Sequence, residues 1–424
     1  MTSKALAQQQ MQARLRTYAD GLAAAVVVSL PWSTSATNVL IVLWLVALIP
    51  TLRWEDLREV MRKPAAWIPV ALVLLGAAGM LWADIAWAER TRAMSPYFKL
   101  LALPLLFVQF RRSANGHWVL GGFLVSCTVL LLISTAGYLT PNSALWSWFK
   151  MRGVPVKDYL MQAALFVVSA FILFYFAHDA CRTRRWGIAA ACGALAIAFI
   201  ANIAFVASSR TALLTVPVLL ALFALKCFRW KGICIVATAG IVTAGALWLS
   251  SDYMRQRLGN LSSEITAYET RNTRTSAGER LEFWKKSVGF VAEAPVLGHG
   301  TGSTRSLFAR VASGGDGVSS LISTNPHNQF LAVAVQLGLF GGLVLVAMWI
   351  AHAMLFRGPG LVAWIGLLFV AQNVFGSLFN SHIFDFGQGW LYVFGVGVAG
   401  GLMMAKPDDA KQPAKPPLEA IAHA

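Results

Sequence analysis

An α-helix needs about 20 consecutive apolar residues to cross the hydrocarbon of a bilayer. This sequence offers twelve candidate runs, near 21–34, 37–52, 66–82, 96–110, 118–140, 158–178, 187–207, 211–227, 231–250, 327–355, 361–379 and 383–404. Within hydrocarbon every backbone N–H and C=O must find its partner inside the segment, so consecutive runs of this kind fold as helices packed in a bundle. The chain is therefore read as an all-α polytopic membrane protein of about twelve transmembrane helices, with one large, partly helical periplasmic loop. Composition points the same way. With 57% hydrophobic and 13% charged residues and a mean hydropathy of +0.61, the 424 residues are too apolar for a soluble domain. Pro31, Pro96 and Pro104 fall in or beside the first two runs and the fourth, and the first hairpin is tight.

A net charge of +16 would suggest nucleic acid in a soluble protein. Here Lys and Arg stand in short clusters between apolar runs, which fits topology-setting charge and contact with membrane lipids, and no nucleic-acid partner is expected. If the N-terminus is cytoplasmic, short cytoplasmic segments carry 19 Lys and Arg against 7 in the short loops opposite. That bias puts both termini in the cytoplasm and the long polar stretch outside, in the periplasm if the cell is Gram-negative. The resulting plan is a cytoplasmic N-terminus over 1–20, transmembrane helices 1–9 over 21–250, the large loop over 251–326, helices 10–12 over 327–404, and a Pro- and Lys-bearing tail over 405–424 read as disordered. The polar start lacks the pattern of a cleavable signal. Five cysteines, Cys127, Cys181, Cys192, Cys227 and Cys234, lie in or beside apolar helices, so neither disulfides nor a metal cluster is expected.

The long loop holds nine basic and seven acidic residues and is nearly balanced. Leu281, Trp284, Val288 and Val291 recur at i, i+3, i+7 and i+10, the pattern of an amphipathic helix over 279–293 that lies on the membrane or caps the bundle. The Gly/Ser-rich run Thr301 to Ser320 reads as a mobile loop. No fixed-period repeat and no matching pair of interrupted helices is visible, which weakens a transport reading.

Three residues stand out for chemistry. Arg210 lies in Ser208-Ser209-Arg210-Thr211, a short turn between two apolar helices. An arginine there can be a snorkelling anchor, but hydroxyls, helix N–H groups and a guanidinium fork together also make a phosphate site. Arg280 opens the amphipathic helix with Trp284 one turn on, and can also simply pair with Glu279 or Glu282. His327 follows Pro326 and is expected to begin an apolar helix with Asn328 beside it, where it acts as a base, a donor or a cap. Lys150, Arg152 and Lys157 add cations in an outward loop, as do Arg90, Arg92 and Lys99. Gly298-His299-Gly300-Thr301-Gly302 lacks the lysine of a phosphate-binding loop and reads as a turn. Asp385-Phe386-Gly387 begins a span rather than a kinase motif, and the outward face shows no Asp-x-Asp pair, so neither metal nor cofactor is expected.

Taken in order, Ser208-Ser209-Arg210-Thr211, Gly278-Glu279-Arg280-Leu281-Glu282-Phe283-Trp284, Pro295-Val296-Leu297-Gly298-His299-Gly300, His327-Asn328-Gln329-Phe330-Leu331 and Leu337-Gly338-Leu339-Phe340-Gly341 resemble the O-antigen ligase/polymerase superfamily, and the lipopolysaccharide O-antigen ligases most closely. The resemblance covers roughly 207–341. It implies a metal-independent, inverting glycosyltransferase that moves a glycan from undecaprenyl diphosphate to lipid A–core at the periplasmic face. By the same resemblance Arg210, Arg280 and His327 are the catalytic residues, and Ser209, Arg152, Lys157, Trp284 and Asn328 are candidates for binding substrate. The segment around Arg152 matches the family only loosely. A polymerase or a protein O-glycosylating ligase of the same superfamily is the alternative within this chemistry, and a lipid or glycan exporter the alternative outside it. Charges concentrated at helix ends rather than inside the spans speak against export.

Overall fold

The computed structural model describes residues 3–149, 151–156, 158–207, 209–250 and 263–405. Among them the chain is helical with no β-strand, and carries one isolated bridge between Met151 and Val154. In order the helices are α1 (Ser3–Ser29), α2 (Thr34–Leu48), α3 (Trp54–Met61), α4 (Pro64–Gly79), α5 (Trp87–Phe98), α6 (Ala102–Arg111), α7 (Gly116–Leu139), α8 (Tyr159–Arg182), α9 (Trp186–Phe205), α10 (Arg210–Ser250), α11 (263–271), α12 (Ser276–Glu293), α13 (Thr304–Arg310), α14 (Gln329–Leu355), α15 (Leu361–Gly376) and α16 (Phe386–Met403).

Seven helices among the described residues are long and apolar enough to cross a membrane, and the pair α3/α4, bent by 90°, would make eight. The bend has a local cause: Pro64 holds Lys63 extended (φ −87°, ψ 133°) and starts α4 afresh. This is a multi-pass membrane protein. The remaining four candidate runs also lie on helix, in α1, the second half of α10, α15 and α16. One boundary differs from the sequence expectation. The runs 211–227 and 231–250 are joined in the single helix α10, because Phe228-Arg229-Trp230-Lys231 contains no residue that breaks a helix.

Aromatic side chains fill the core, with Trp44, Phe107, Phe110, Phe166, Phe171 and Trp364 fully buried. The helices α6 and α16 approach closely because Gly397, Gly400 and Gly401 leave room for Leu106, Phe107 and Phe110.

Two stretches of the sequence meet to build the support under the polar end. Gly338 breaks α14 with φ 66° and ψ −173°, a conformation essentially confined to glycine. The backbone groups around the break are taken up by the segment 295–300. Leu339 N–H donates to Pro295 O (2.8 Å) and Phe340 N–H to Val296 O (3.4 Å), while His299 N–H donates to Val335 O (3.0 Å) and Gly300 N–H to Gln336 O (2.8 Å). Gly298, at φ 66°, lies so close that a Cβ there would stand 2.5 Å from Gly338 N. The turn expected at 298–302 is thus a clamp on a broken helix.

Two further expectations change. The helix over 279–293 exists as α12, but the face it buries is Phe283, Ser287 and Phe290 together with Glu282, while Val288 is exposed. Phe283 and Phe290 both pack edge-on against Phe308 of α13, and that larger aromatic contact sets the rotation of the helix. The same contact explains why 301–320 is not simply a loop: Leu307 and Phe308 fold it into α13, and Thr301 is fully buried with its hydroxyl on Gly76 O (2.6 Å).

Candidate active site

The start of α10, the first turns of α12, the residues before α14 and the α15–α16 turn (377–385) gather at one end of the bundle. Ser209 caps α10, accepting from Ala212 N–H at 3.3 Å, and is buried. It shares a narrow cleft with Thr211, Arg280, Asn380, His382 and Gln388.

Arg210 directs both terminal nitrogens to Glu264 of α11, Nη2 to Oε1 at 2.8 Å and Nη1 to Oε2 at 3.2 Å. Glu264 Oε2 also accepts from Ala277 N–H at the N-terminus of α12 (3.3 Å), and its backbone carbonyl accepts from the Thr275 hydroxyl (3.2 Å). Thr275 in turn caps α12, accepting from Gly278 N–H (3.1 Å). The carboxylate thereby ties Arg210 to the helix that carries Arg280, and the guanidinium beside it holds its pKa below the usual carboxylate range. A carboxylate bound at once by an arginine fork and a helix N-terminus occupies a place that suits a phosphate equally well.

Arg280 makes no ion pair among the described residues. The sequence left open a pairing with Glu282, but that carboxylate is engaged by Lys286 (3.2 Å) and by the Tyr268 hydroxyl (2.7 Å). The Arg280 guanidinium is thus left to the cleft, and its charge reaches His327.

His327 does not begin α14. Asn328 caps that helix by accepting from Leu331 N–H (3.1 Å), and His327 stands just before it at φ +56°, a left-handed conformation in which an ordinary residue is strained by about 1–3 kcal/mol. Its surroundings enforce this. The His327 N–H donates to Asn325 Oδ1 (2.8 Å), its carbonyl accepts from the Trp284 indole N–H (3.4 Å), and its ring stacks on Phe283 at 6.0 Å and 14°.

The tautomer follows from the partners. Asn380 Nδ2 donates to Asp385 Oδ2 (3.0 Å) and Asn380 Oδ1 accepts from Ser381 N–H (3.0 Å), which fixes the amide. The same Oδ1 faces His327 Nδ1 at 3.1 Å, so Nδ1 carries the proton and Nε2 keeps a lone pair. Burial and the Arg280 charge push the imidazole below its ordinary pKa, against smaller upward contributions from Asn380 and Glu279. The ring is neutral at pH 7 and suited to accept a proton.

The other expected binders are placed as follows. Trp284 fastens the His327 backbone, and Asn328 caps α14 while donating to Leu378 O (3.2 Å). Arg152 lies outside the cleft, with Nε on Tyr138 O (2.8 Å) and its guanidinium 4.4 Å from the Tyr138 ring centroid. Arg90 likewise binds the carbonyls of Ile85 and Met80. Lys157, Lys150 and Ser208 lie outside the described residues, as do 251–262 and 406–424.

Sequence reasoning missed Glu264, Phe283, Asn380 and His382. His382 is buried at the cleft wall with Nδ1 unpaired among the described residues, and burial lowers its pKa to about 4. All four depend on contacts between distant segments. Only the pairing of Asn with Asp in Asn380-Ser381-His382-Ile383-Phe384-Asp385, polar residues between two apolar helices, offered a signal.

Residues 194–346 match the family model described as O-antigen ligase. This segment of the chain is similar to the O-antigen ligase family. The matched segment takes in Arg210, Arg280 and His327 and the glycine clamp of Gly298 and Gly338, and stops short of Asn380 and His382. A Haemophilus influenzae protein described as uncharacterized is 32% identical over 117 residues, 26% of this chain and 29% of its own length.

Proposed function

We propose that the protein is an O-antigen ligase of the bacterial inner membrane, with its active site at the periplasmic face. It moves a glycan from undecaprenyl diphosphate to lipid A–core, with inversion and without a metal. The observation that carries this reading is that Ser209 and Arg280 line one cleft, with Arg210 tied through Glu264 to the start of the helix that carries Arg280 and His327 held by Asn380 of the cleft wall.

In this reading the donor diphosphate takes the Arg210 fork in place of the Glu264 carboxylate and is bound on its other side by Arg280. His327 Nε2 accepts the proton of the acceptor hydroxyl as its oxygen attacks the anomeric carbon. The bond from that carbon to the diphosphate oxygen breaks, and undecaprenyl diphosphate leaves. Negative charge grows on the leaving oxygen, so the two guanidinium groups act more strongly in the transition state than in the ground state. The test is product analysis with purified protein and lipid-linked glycan. Glycan joined to lipid A–core supports the ligase, whereas a lengthened lipid-linked glycan identifies a polymerase, and glycan joined to protein an O-glycosylating ligase.

The Asn380 contact gives a separate expectation. As a positioning residue it holds the His327 tautomer and raises its pKa. Asn380→Ala should lower kcat about tenfold, the worth of one such hydrogen bond. It should also move the acid limb of the pH profile to lower pH, since the stabiliser of the protonated ring is gone. An acid limb that stays in place would contradict the assigned tautomer.

The pH dependence of the wild type has a definite sign. Because the free base is the active form and its pKa lies below the ordinary 6.5, kcat/KM should be flat from pH 8 to pH 7 and fall only below about 6.5. A fall already complete at pH 7 would show that the neutral imidazole is not the base.

A further inference from the structure

A second cavity, of about 250 Å³, shares Leu160, Asn380 and Gln388 with the Arg280 cleft. Its other walls are the α1–α2 turn, the N-terminus of α8 and the N-terminus of α16, which contribute Trp32, Asp158 and Asp385. We propose that this cavity holds the acceptor sugar, an uncharged polyol ring, and so rests on the reading of the protein as a glycan transferase.

Position is the first argument. A transferase must bring both substrates to one base, and Asn380 is a wall of both cavities while holding His327 Nδ1 at 3.1 Å. Charge is the second. The described lining contains two carboxylates and no lysine or arginine, whereas the adjoining cleft contains Arg280. Lys99 lies against it, with Nζ on Asp385 O (2.7 Å). Carboxylates accept hydroxyl hydrogen bonds and repel a diphosphate, so the two cavities sort the two substrates by charge. The N-termini of α2 and α8 are already capped, Ser33 accepting from Ala36 N–H (3.2 Å) and Asp158 from Met161 N–H (2.7 Å), and α16 begins at the carboxylate-bearing Asp385, so the usual reason for an anion to bind is weakened.

Side-chain chemistry is the third. Trp32 is partly exposed and its indole N–H is committed to Ser126 Oγ (2.9 Å), which fixes the ring as a platform for the apolar face of a sugar. The amides of Asn380 and Gln388 and the carboxylates of Asp158 and Asp385 supply hydrogen-bonding groups around it.

Steady-state transfer by the purified full-length protein tests this, with lipid A–core and undecaprenyl-diphosphate glycan varied separately. Asp158→Asn keeps a capping oxygen on α8, and Trp32→Ala removes the platform. Each should raise the KM for lipid A–core about tenfold and leave the KM for the donor unchanged, and Trp32→Phe should recover part of the loss. An acceptor KM within twofold of wild type in both variants would overturn the site, as would a rise confined to the donor KM. Wild-type protein that ligates establishes the transferase separately, so failure of the acceptor site and failure of the parent reading give different results.

Discussion

Arg280→Ala is expected to lower transfer by about 10²–10³-fold, the size of effect seen when one preorganised donor to a developing negative charge is removed, with little loss of folded protein. Arg280 makes no ion pair among the described residues, so its removal strands no carboxylate. Arg210 differs in this respect, because its loss leaves Glu264 without its guanidinium and loosens the tie between α10, α11 and α12. Arg280→Ala is therefore the cleaner probe of charge stabilisation. It also removes the cation that lowers the His327 pKa. The residual activity should accordingly show an acid limb shifted to higher pH, a change that mere misfolding does not produce. Full activity in this variant would remove Arg280 from the diphosphate site.

Gly338→Val should abolish accumulation of folded protein. The residue has φ 66° and ψ −173°, and a Cβ there would run into the backbone of Val296 and Leu297. Strain of about 1–3 kcal/mol comes from the dihedrals alone, and displacement of 295–300 adds the four hydrogen bonds that cover the break in α14. Against a typical stability of about 5–15 kcal/mol, this is a large fraction. Purification yield and thermal unfolding in detergent provide the measurement. Wild-type unfolding temperature in this variant would show that the clamp is dispensable. Gly298→Ala should lower stability in the same direction, because its Cβ would stand 2.5 Å from Gln336 C and Gly338 N.

Long apolar runs made the helices legible from sequence, since backbone satisfaction in hydrocarbon leaves few alternatives. What the runs did not reveal is where a continuous apolar stretch breaks. Gln336-Leu337-Gly338-Leu339-Phe340 reads as uninterrupted helix, and only the distant Gly298 shows why it is not. The rotation of α12 was equally hidden. Leu281, Trp284, Val288 and Val291 keep a helical period as well as Phe283, Ser287 and Phe290 do, and the choice lies with Phe308 in another segment.

At the candidate site, Arg210, Arg280 and His327 stood out as polar residues at the mouths of apolar helices. Their partners did not, because Arg210 meets Glu264 across 54 residues and His327 meets Asn380 across 53. Periodicity carries no information at such a separation. The buried His382 was passed over for the same reason: its sequence neighbours Ser381 and Ile383 give no sign that it lines a cleft together with Arg280.

The central claim is that His327 is the base of a metal-independent glycan transfer to lipid A–core. Its most direct test uses purified wild-type protein and His327→Ala with undecaprenyl-diphosphate glycan and lipid A–core in excess chelator. Slower-migrating lipopolysaccharide is expected from the wild type, with a loss of about 10²–10⁴-fold in the variant. Ligation by His327→Ala at the wild-type rate would contradict the assignment of the base, and wild-type activity lost in chelator would contradict a metal-free reaction.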